Sequence, residues 1–368
     1  MFLIHTSPEN AEIVARAVTS ACRLEGWQSP LQPKLLHTLF NRLLGQDLDF
    51  EKIAPMSPAE VVATLRSEAE RHDLIQLMVA IEILYNPIPE RLERSIVQWA
   101  TAVHVHERSL LYARDLMRGE LTKAIHDFYR MNWIADLDRR SPEFEALFRH
   151  AGDKAYALTI EADAAEAARW TALASCPQGS IGRSLWQFYE IRGFPVPGQP
   201  GSVNAAVAQH DWEHVLADYG TTPMGEIEVI SFQAATSRAP GVMLGFFGVL
   251  ALYESGLMPM SLVVGKQAGH GLSAPGGIER LAEAVARGAA CNTDLVLDVD
   301  FFQHANEPFS ACQRTPGRNS WTVWHPTEER ENSRARSVRC HEIAAGKINE
   351  GADRIEQKAI AVQIMEVQ

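Results

Sequence analysis

An all-α fold is what this sequence predicts, and three observations carry the prediction. Apolar residues recur at helical spacing along most of the chain, whereas short alternating β-branched runs are scarce. Helix punctuation is frequent and explicit: in "SPAEVVATLRSEAER", Ser57 reads as an N-cap, Pro58 as the first helical residue and Glu60 as the partner in a capping box. At 368 residues the chain is longer than one apolar core usually serves, so two helical domains are expected.

Taken in order, "LQPKLLHTLFNRLLG" is an amphipathic helix closed by a glycine, followed by the helix that Ser57 opens. "HDLIQLMVAIEILY" is apolar almost all round from Leu74 to Leu84, which predicts a central buried helix. "NPIP" at 86–89 must end it, because proline lacks an amide donor and clashes with the preceding turn. A new helix starts near Pro89, with Leu92, Ile96, Val97, Ala100 and Val103 at helical spacing. Residues 1–160 therefore read as a first all-α bundle.

"EADAAEAARWTALASCPQGSIG" ends a helix around Ser175 and enters a turn-rich junction. "SIGRSLWQFYEIRGF" starts the next helix, and "PVPGQPGS" is a proline and glycine hinge. The pattern stays helical to about residue 317, which predicts a second domain over 170–318, an orthogonal helical bundle. The charged segment after Trp324, "HPTEERENSRARSVR", marks 319–368 as a solvent-exposed extension, with a helix expected near 341–365. Neither an internal repeat nor a low-complexity tract is visible.

Charge and composition narrow the function. A formal net charge of −12 opposes nucleic-acid binding, because neutralising phosphates requires a basic surface. Cys22, Cys176, Cys291, Cys312 and Cys340 lie far apart without a CxxC pair, so neither a disulfide framework nor a cysteine zinc knuckle is indicated. The start, "MFLIHTSPEN", lacks the basic and long apolar regions of a secretory signal, and a cytoplasmic location is expected. The uncharged run from Ala239 to Tyr253 is shorter than the roughly 20 residues that span a bilayer. It reads first as a buried core helix with an exit loop over Ser255 to Gly265; the alternative is a surface that holds a lipid tail or touches a membrane.

The chemistry concentrates in "QHDWEHVLADYGTTPMGEIEV". Residues four apart share a helix face, so His210 and His214 stack one turn apart and can share one ion. Asp211 sits at the edge of that face, either as a ligand or as a group that orients a histidine. The helix is expected to stop at Gly220, with Thr222 capping the next helix and Pro223 at its first position. Glu226 then falls one turn into that second helix, facing back across a helical hairpin. Two imidazoles and one or two carboxylates suit zinc, iron or manganese alike. The competing reading is the polar edge of an ordinary helix pair. Glu213 reads as a solvated surface glutamate, with an acid/base role as the alternative.

Other polar groupings are weaker. His104 and His106 are two apart and face opposite sides of a helix. "SAPGGIERL" has neither the preceding strand nor the lysine of a phosphate loop. His72-Asp73, at a helix start, and His126-Asp127, in an amphipathic helix, join His210-Asp211 as the dipeptides an HD-type metal-dependent phosphohydrolase would use.

The pattern His210-Asp211-x-x-His214-x11-Glu226, with Gly225 before the glutamate, resembles the signature of a ubiquinone-biosynthesis family, the fourth protein of the coenzyme Q pathway. "CPQGSIGRSLWQFYEIRGF" is similar to the segment that family places upstream. "GIERLAEAVARGAACNTDLVLDVDFF" resembles its late helix, with Ala-x-Ala-Arg-Gly followed by an acidic and aromatic stretch. The resemblance covers roughly 170 to 318; "PFSACQRTPG" departs from it, and the charged extension has no counterpart. It implies that His210, Asp211, His214 and Glu226 bind zinc. It also implies a fold that holds a long isoprenoid, and a part in removing the ring carboxyl of a polyprenylated benzoic acid with oxidation at that carbon. The implied partners are a polyprenyl lipid or quinone intermediate, other quinone-biosynthesis enzymes and the inner face of a membrane, with the chain a homo-oligomer. A lipid-binding scaffold with a structural metal is the alternative. Residues 1–160 resemble the tellurite-resistance (TerB-like) helical domain through the buried helix, the "NPIP" turn and the helix bearing Glu90 and Glu93. Prolines replace that family's acidic turn, so no metal site is carried over and the bundle reads as an interaction or scaffold domain.

Overall fold

A computed structural model of the chain describes residues 3–133, 158–239, 241–258 and 270–308, and every regular element in them is helical. Strand-type pairing among these residues is limited to two isolated bridges, Leu158 with Val203 and Ser180 with Pro308. The protein is all-α, as the periodicity predicts. The extension over 319–368, the helix expected at 341–365 and residues 259–265 of the second uncharged run lie outside the described residues.

The first seven helices are α1 (Ala11–Cys22), α2 (Leu31–Leu44), α3 (Pro58–Thr64), α4 (Glu68–Ile83), α5 (Glu90–Ala102), α6 (Ser109–Met117) and α7 (Leu121–Met131). Their ends follow local chemistry. Ser57 accepts from the Glu60 amide while Glu60 accepts from the Ser57 amide, closing the capping box of α3. α2 ends on Gly45 at φ 66°, a left-handed conformation that glycine adopts without a Cβ penalty. α4 stops at Ile83, before "NPIP", and α5 starts directly after Pro89. Leu74, Leu77, Met78 and Ile81 of α4 are fully buried, so this is the central helix of the bundle.

Among the described residues six further helices follow: α8 (Ala164–Thr171), α9 (Ile181–Arg192), α10 (Asp211–Ala217), α11 (Pro223–Thr236), α12 (Val242–Tyr253) and α13 (Gly277–Ala289). α12 is the uncharged run. Phe246, Phe247, Leu250 and Ala251 are completely buried, and α12 packs on α4 and α11. No described helix is long and apolar enough to cross a membrane. One apolar cluster is continuous from α1 and α4 through α12 into Ile227 of α11 and Leu281 of α13. α13 also packs on α2, where Lys34–Glu279 (3.0 Å) and Arg42–Glu283 (2.8 Å) pair across the contact.

A second cluster gathers Trp170, Leu185, Phe188, Trp212, Leu216 and Phe301. Trp212 stacks flat on Phe301, with ring centroids 5.5 Å apart and planes 7° from parallel. This cluster anchors α10 from behind and leaves His214 facing Glu226 of α11.

Two local expectations change. His104 and His106 lie beyond the end of α5 at Ala102, with His104 at φ 58°, so they do not sit on opposite faces of a helix. His72 and Asp73 lie past the first turn of α4, which Ser67 caps, and not at its start.

Candidate metal centre

The hairpin that carries His210, His214 and Glu226 is built from short-range signals. Asn204 Oδ1 accepts from the Val207 amide at 2.9 Å and opens a 3-10 turn over Val207–His210, which runs straight into α10. His210 and His214 therefore do not share one α-helix, as the spacing alone suggests; His210 occupies the junction. They still stand one turn apart, with ring centroids 5.2 Å apart. α10 ends at Ala217, earlier than Gly220, because Asp218 turns left-handed at φ 58°. Thr222 then caps α11 by accepting from the Gly225 amide at 3.2 Å, and Pro223 is its first residue. Gly225 is required by close approach: a Cβ there would lie 2.0 Å from the Gly220 carbonyl oxygen. The glycine thus lets the turn fold back far enough for Glu226 to face α10.

Four side chains converge. His214 Nε2 lies 3.4 Å from Glu226 Oε2, His210 Nε2 lies 3.7 Å from the same oxygen, and His210 Nε2 lies 3.5 Å from Asp211 Oδ1. Donor atoms of His210, Asp211 and His214 all fall within 4.8 Å of one another, so this group could hold a metal ion. Around a tetrahedral zinc with bonds of about 2.0–2.1 Å, neighbouring ligand atoms sit roughly 3.3 Å apart. The spacings across the hairpin are close to that value.

Backbone carbonyls orient both imidazoles. His210 Nδ1 lies 2.5 Å from the Val207 carbonyl oxygen, and His214 Nδ1 lies 3.3 Å from that of Tyr219. A carbonyl only accepts, so in each ring Nδ1 carries a hydrogen, and Nε2 is the atom turned toward the carboxylates. The Tyr189 hydroxyl donates to Asp211 Oδ2, which leaves Oδ1 toward His210. His214 Nε2 is buried and makes no hydrogen bond. A ring nitrogen held in this way calls for a ligand.

The electrostatics agree. Burial alone would depress His210, yet the Asp211 and Glu226 carboxylates outweigh it and push its pKa up to about 10. Burial would likewise raise Glu226, but the imidazoles of His214 and His210 hold it well below the ordinary carboxylate range. Both shifts describe one enclosed negative potential that favours a cation, whether a proton or a metal ion.

Glu213 is a correction. It is fully buried, not solvated, and its Oε1 accepts from Gln233 Nε2 at 2.7 Å. Burial raises its pKa to about 8, against the opposing hydrogen bond from Gln233. α10 is so short and so closely packed that Asp211, Trp212, Glu213 and His214 are all buried. Gln233 was findable: it lies seven residues after Glu226 and so shares its helix face. Tyr189 carried no such local signal, because it comes from α9. Phe188, on the same helix, stacks on His214 with centroids 5.6 Å apart. Arg192 lies 3.9 Å over the other side chain of that stack, the Phe188 ring.

The remaining candidates stay apart from this centre. Asp73 pairs with His5, whose Nδ1 lies 3.0 Å from its Oδ1, and His72 faces Glu107 at 3.7 Å. His126 and Asp127 lie on α7. None of them adds an atom to the group at 210–214. Comparison with protein-family models, with curated proteins and with solved structures finds no match for this chain.

Proposed function

We propose that this protein holds one divalent metal ion on His210, Asp211, His214 and Glu226, zinc first and iron or manganese as alternatives. In this reading it serves isoprenoid-quinone biosynthesis, acting on the head group of a polyprenylated benzoic acid or presenting that intermediate to partner enzymes at a membrane surface. The single observation that carries the metal is the buried Nε2 of His214, which makes no hydrogen bond and faces Glu226 Oε2 at 3.4 Å. The substrate class rests on the signature spacing and its flanking segments.

Openness favours a catalytic role over a structural one. His214 is 1% exposed, but the side chains of His210, Asp211 and Glu226 are 17%, 12% and 20% exposed. Structural zinc sites are closed, whereas catalytic ones keep a position for water or substrate. A bound ion would supply Lewis acidity, polarising a substrate oxygen. Around it the chain supplies a wall of aromatic surface: Phe188 lies against His214, and Phe194 packs edge-on against Phe188 and Tyr189. Ile191 near the end of α9 and Phe194 just beyond it are large apolar side chains left exposed, which suits an amphiphile whose polar end reaches the ligands.

The test is incubation of metal-loaded protein with a prenylated benzoic acid under air, with water supplying the ring hydroxyl and dioxygen, the two-electron oxidant, leaving as hydrogen peroxide. Mass spectrometry follows loss of the carboxyl as carbon dioxide. Conversion that vanishes in Glu226→Gln supports the catalytic reading. Metal-loaded protein that copurifies with a prenyl lipid and never converts it supports the scaffold instead.

A further inference from the structure

The stretch Ala284-Val285-Ala286-Arg287-Gly288 closes α13, yet none of its residues belongs to the ligand set. Two of its side-chain positions nevertheless act on the hairpin. Gly288 allows close approach: a Cβ there would lie 2.4 Å from the Phe232 carbonyl oxygen and 2.6 Å from the Ala235 Cβ, so glycine lets α13 settle onto α11. That approach brings Arg287 across α11 to the far end of α10. Its guanidinium lies 4.9 Å from the Tyr219 ring centroid and 5.9 Å from that of Phe232. Its NH2 group donates to the Ala217 carbonyl at 2.9 Å.

These contacts bracket one strained point. Ala217 is the last residue of α10, Asp218 is left-handed at φ 58°, and Tyr219 follows. The Tyr219 amide donates to the His214 carbonyl at 3.0 Å, and the Tyr219 carbonyl faces His214 Nδ1 at 3.3 Å. Arg287 thus grips the chain on both sides of Asp218, by a hydrogen bond before it and a cation–π contact after it.

We propose that Arg287 is a positioning residue for His214: through Ala217 and Tyr219 it fixes the carbonyl that holds the imidazole in its Nδ1–H form and aims Nε2 at the metal position. This rests on the metal-binding reading above for its consequence, but the tautomer of His214 can be read without any metal. Partners one step removed from a ligand commonly set metal affinity by 10- to 100-fold.

The experiment compares full-length wild type with Arg287→Met and Arg287→Lys. Nitrogen NMR of the metal-free proteins reports the His214 tautomer. Cobalt titration reports coordination through its visible bands, and zinc competition reports affinity. Circular dichroism and the melting temperature register a purely structural loss. The proposal expects Arg287→Met to mix the tautomers, move the cobalt bands and weaken zinc by about 10- to 100-fold. Arg287→Lys keeps a donor for Ala217 but loses the planar stack, so its loss is smaller; if the methionine variant fails to fold, this intermediate shift decides alone. A lowered melting temperature with tautomer, bands and affinity unchanged in the folded fraction overturns the proposal. Wild type that takes up no metal while Arg287→Met still scrambles the His214 tautomer sinks the metal reading and leaves the positioning role standing.

Discussion

His214 Nε2 and Glu226 Oε2 face each other at 3.4 Å across the turn between α10 and α11, and the nitrogen makes no hydrogen bond. The histidine is pinned from behind by Tyr219, and the glutamate is brought in by a glycine that tolerates a backbone oxygen at its side. The pair is where local capping chemistry, tertiary packing and function meet.

Removing the charge on the glutamate should therefore weaken metal binding more than it weakens the fold. Glu226→Gln keeps the shape but gives up the carboxylate proposed as a ligand and one of the two negative charges beside His210. Zinc affinity measured by competition should fall by at least about 10- to 100-fold, with a smaller drop in melting temperature, because the two imidazoles stabilise the Glu226 carboxylate in the fold. Equal affinities would remove Glu226 from the ligand set.

Tyr189→Phe isolates the orienting hydrogen bond on Asp211 Oδ2. The ring keeps its contacts with Trp170 and Phe194, so packing survives. Loss of one bond to a buried carboxylate should cost about 1–3 kcal/mol and reduce metal affinity by about 10-fold or more. Chemical denaturation and zinc competition on the same variant separate the two effects.

Trp212→Ala tests the anchoring of α10. Trp212 is fully buried and stacked on Phe301. The cavity should cost about 3–5 kcal/mol and release the helix that carries His214. Metal binding should fall along with the melting temperature, unlike in Tyr189→Phe.

Glu82 gives a pH signature in the first bundle. It is buried on α4 with neither carboxylate oxygen hydrogen-bonded. Burial, reinforced by the charge of Glu93 and offset by Arg114, raises its pKa from 4.5 to about 8. Below about pH 4.5 the group is neutral in both folded and unfolded chains. Between 4.5 and 8 the unfolded chain gives up the proton while the folded one keeps it, so stability falls as pH rises and levels off above 8. Each unit of the raise is worth about 1.4 kcal/mol. Melting curves from pH 5 to 9 should show wild type losing stability relative to Glu82→Met over that window. Parallel curves would mean that Glu82 ionises without penalty.

What could be read from the sequence was what depends on neighbours along the chain. Ser57, Thr222 and Gly45 cap their helices because capping is settled within four residues. The run ending at Tyr253 became a core helix because its apolarity leaves no polar face. His210, His214 and Glu226 met because a turn and a proline start set the hairpin register. The misreading of Glu213 has a different origin. A glutamate beside Trp212 looks exposed until Gln233 and the aromatic cluster behind α10 enclose it, and that enclosure comes from α9, α11 and the segment at Phe301. Tyr189 and Arg287 were invisible as site residues for the same reason: each reaches the hairpin from a helix distant in sequence.

The central claim is that the hairpin binds a metal ion, and elemental analysis of the purified full-length chain tests it most directly. The account predicts about one equivalent of zinc, iron or manganese per chain. It predicts none in the His210→Ala, His214→Ala double variant, whose circular dichroism stays helical. Wild type that purifies without metal and cannot be loaded with any of the three would contradict it.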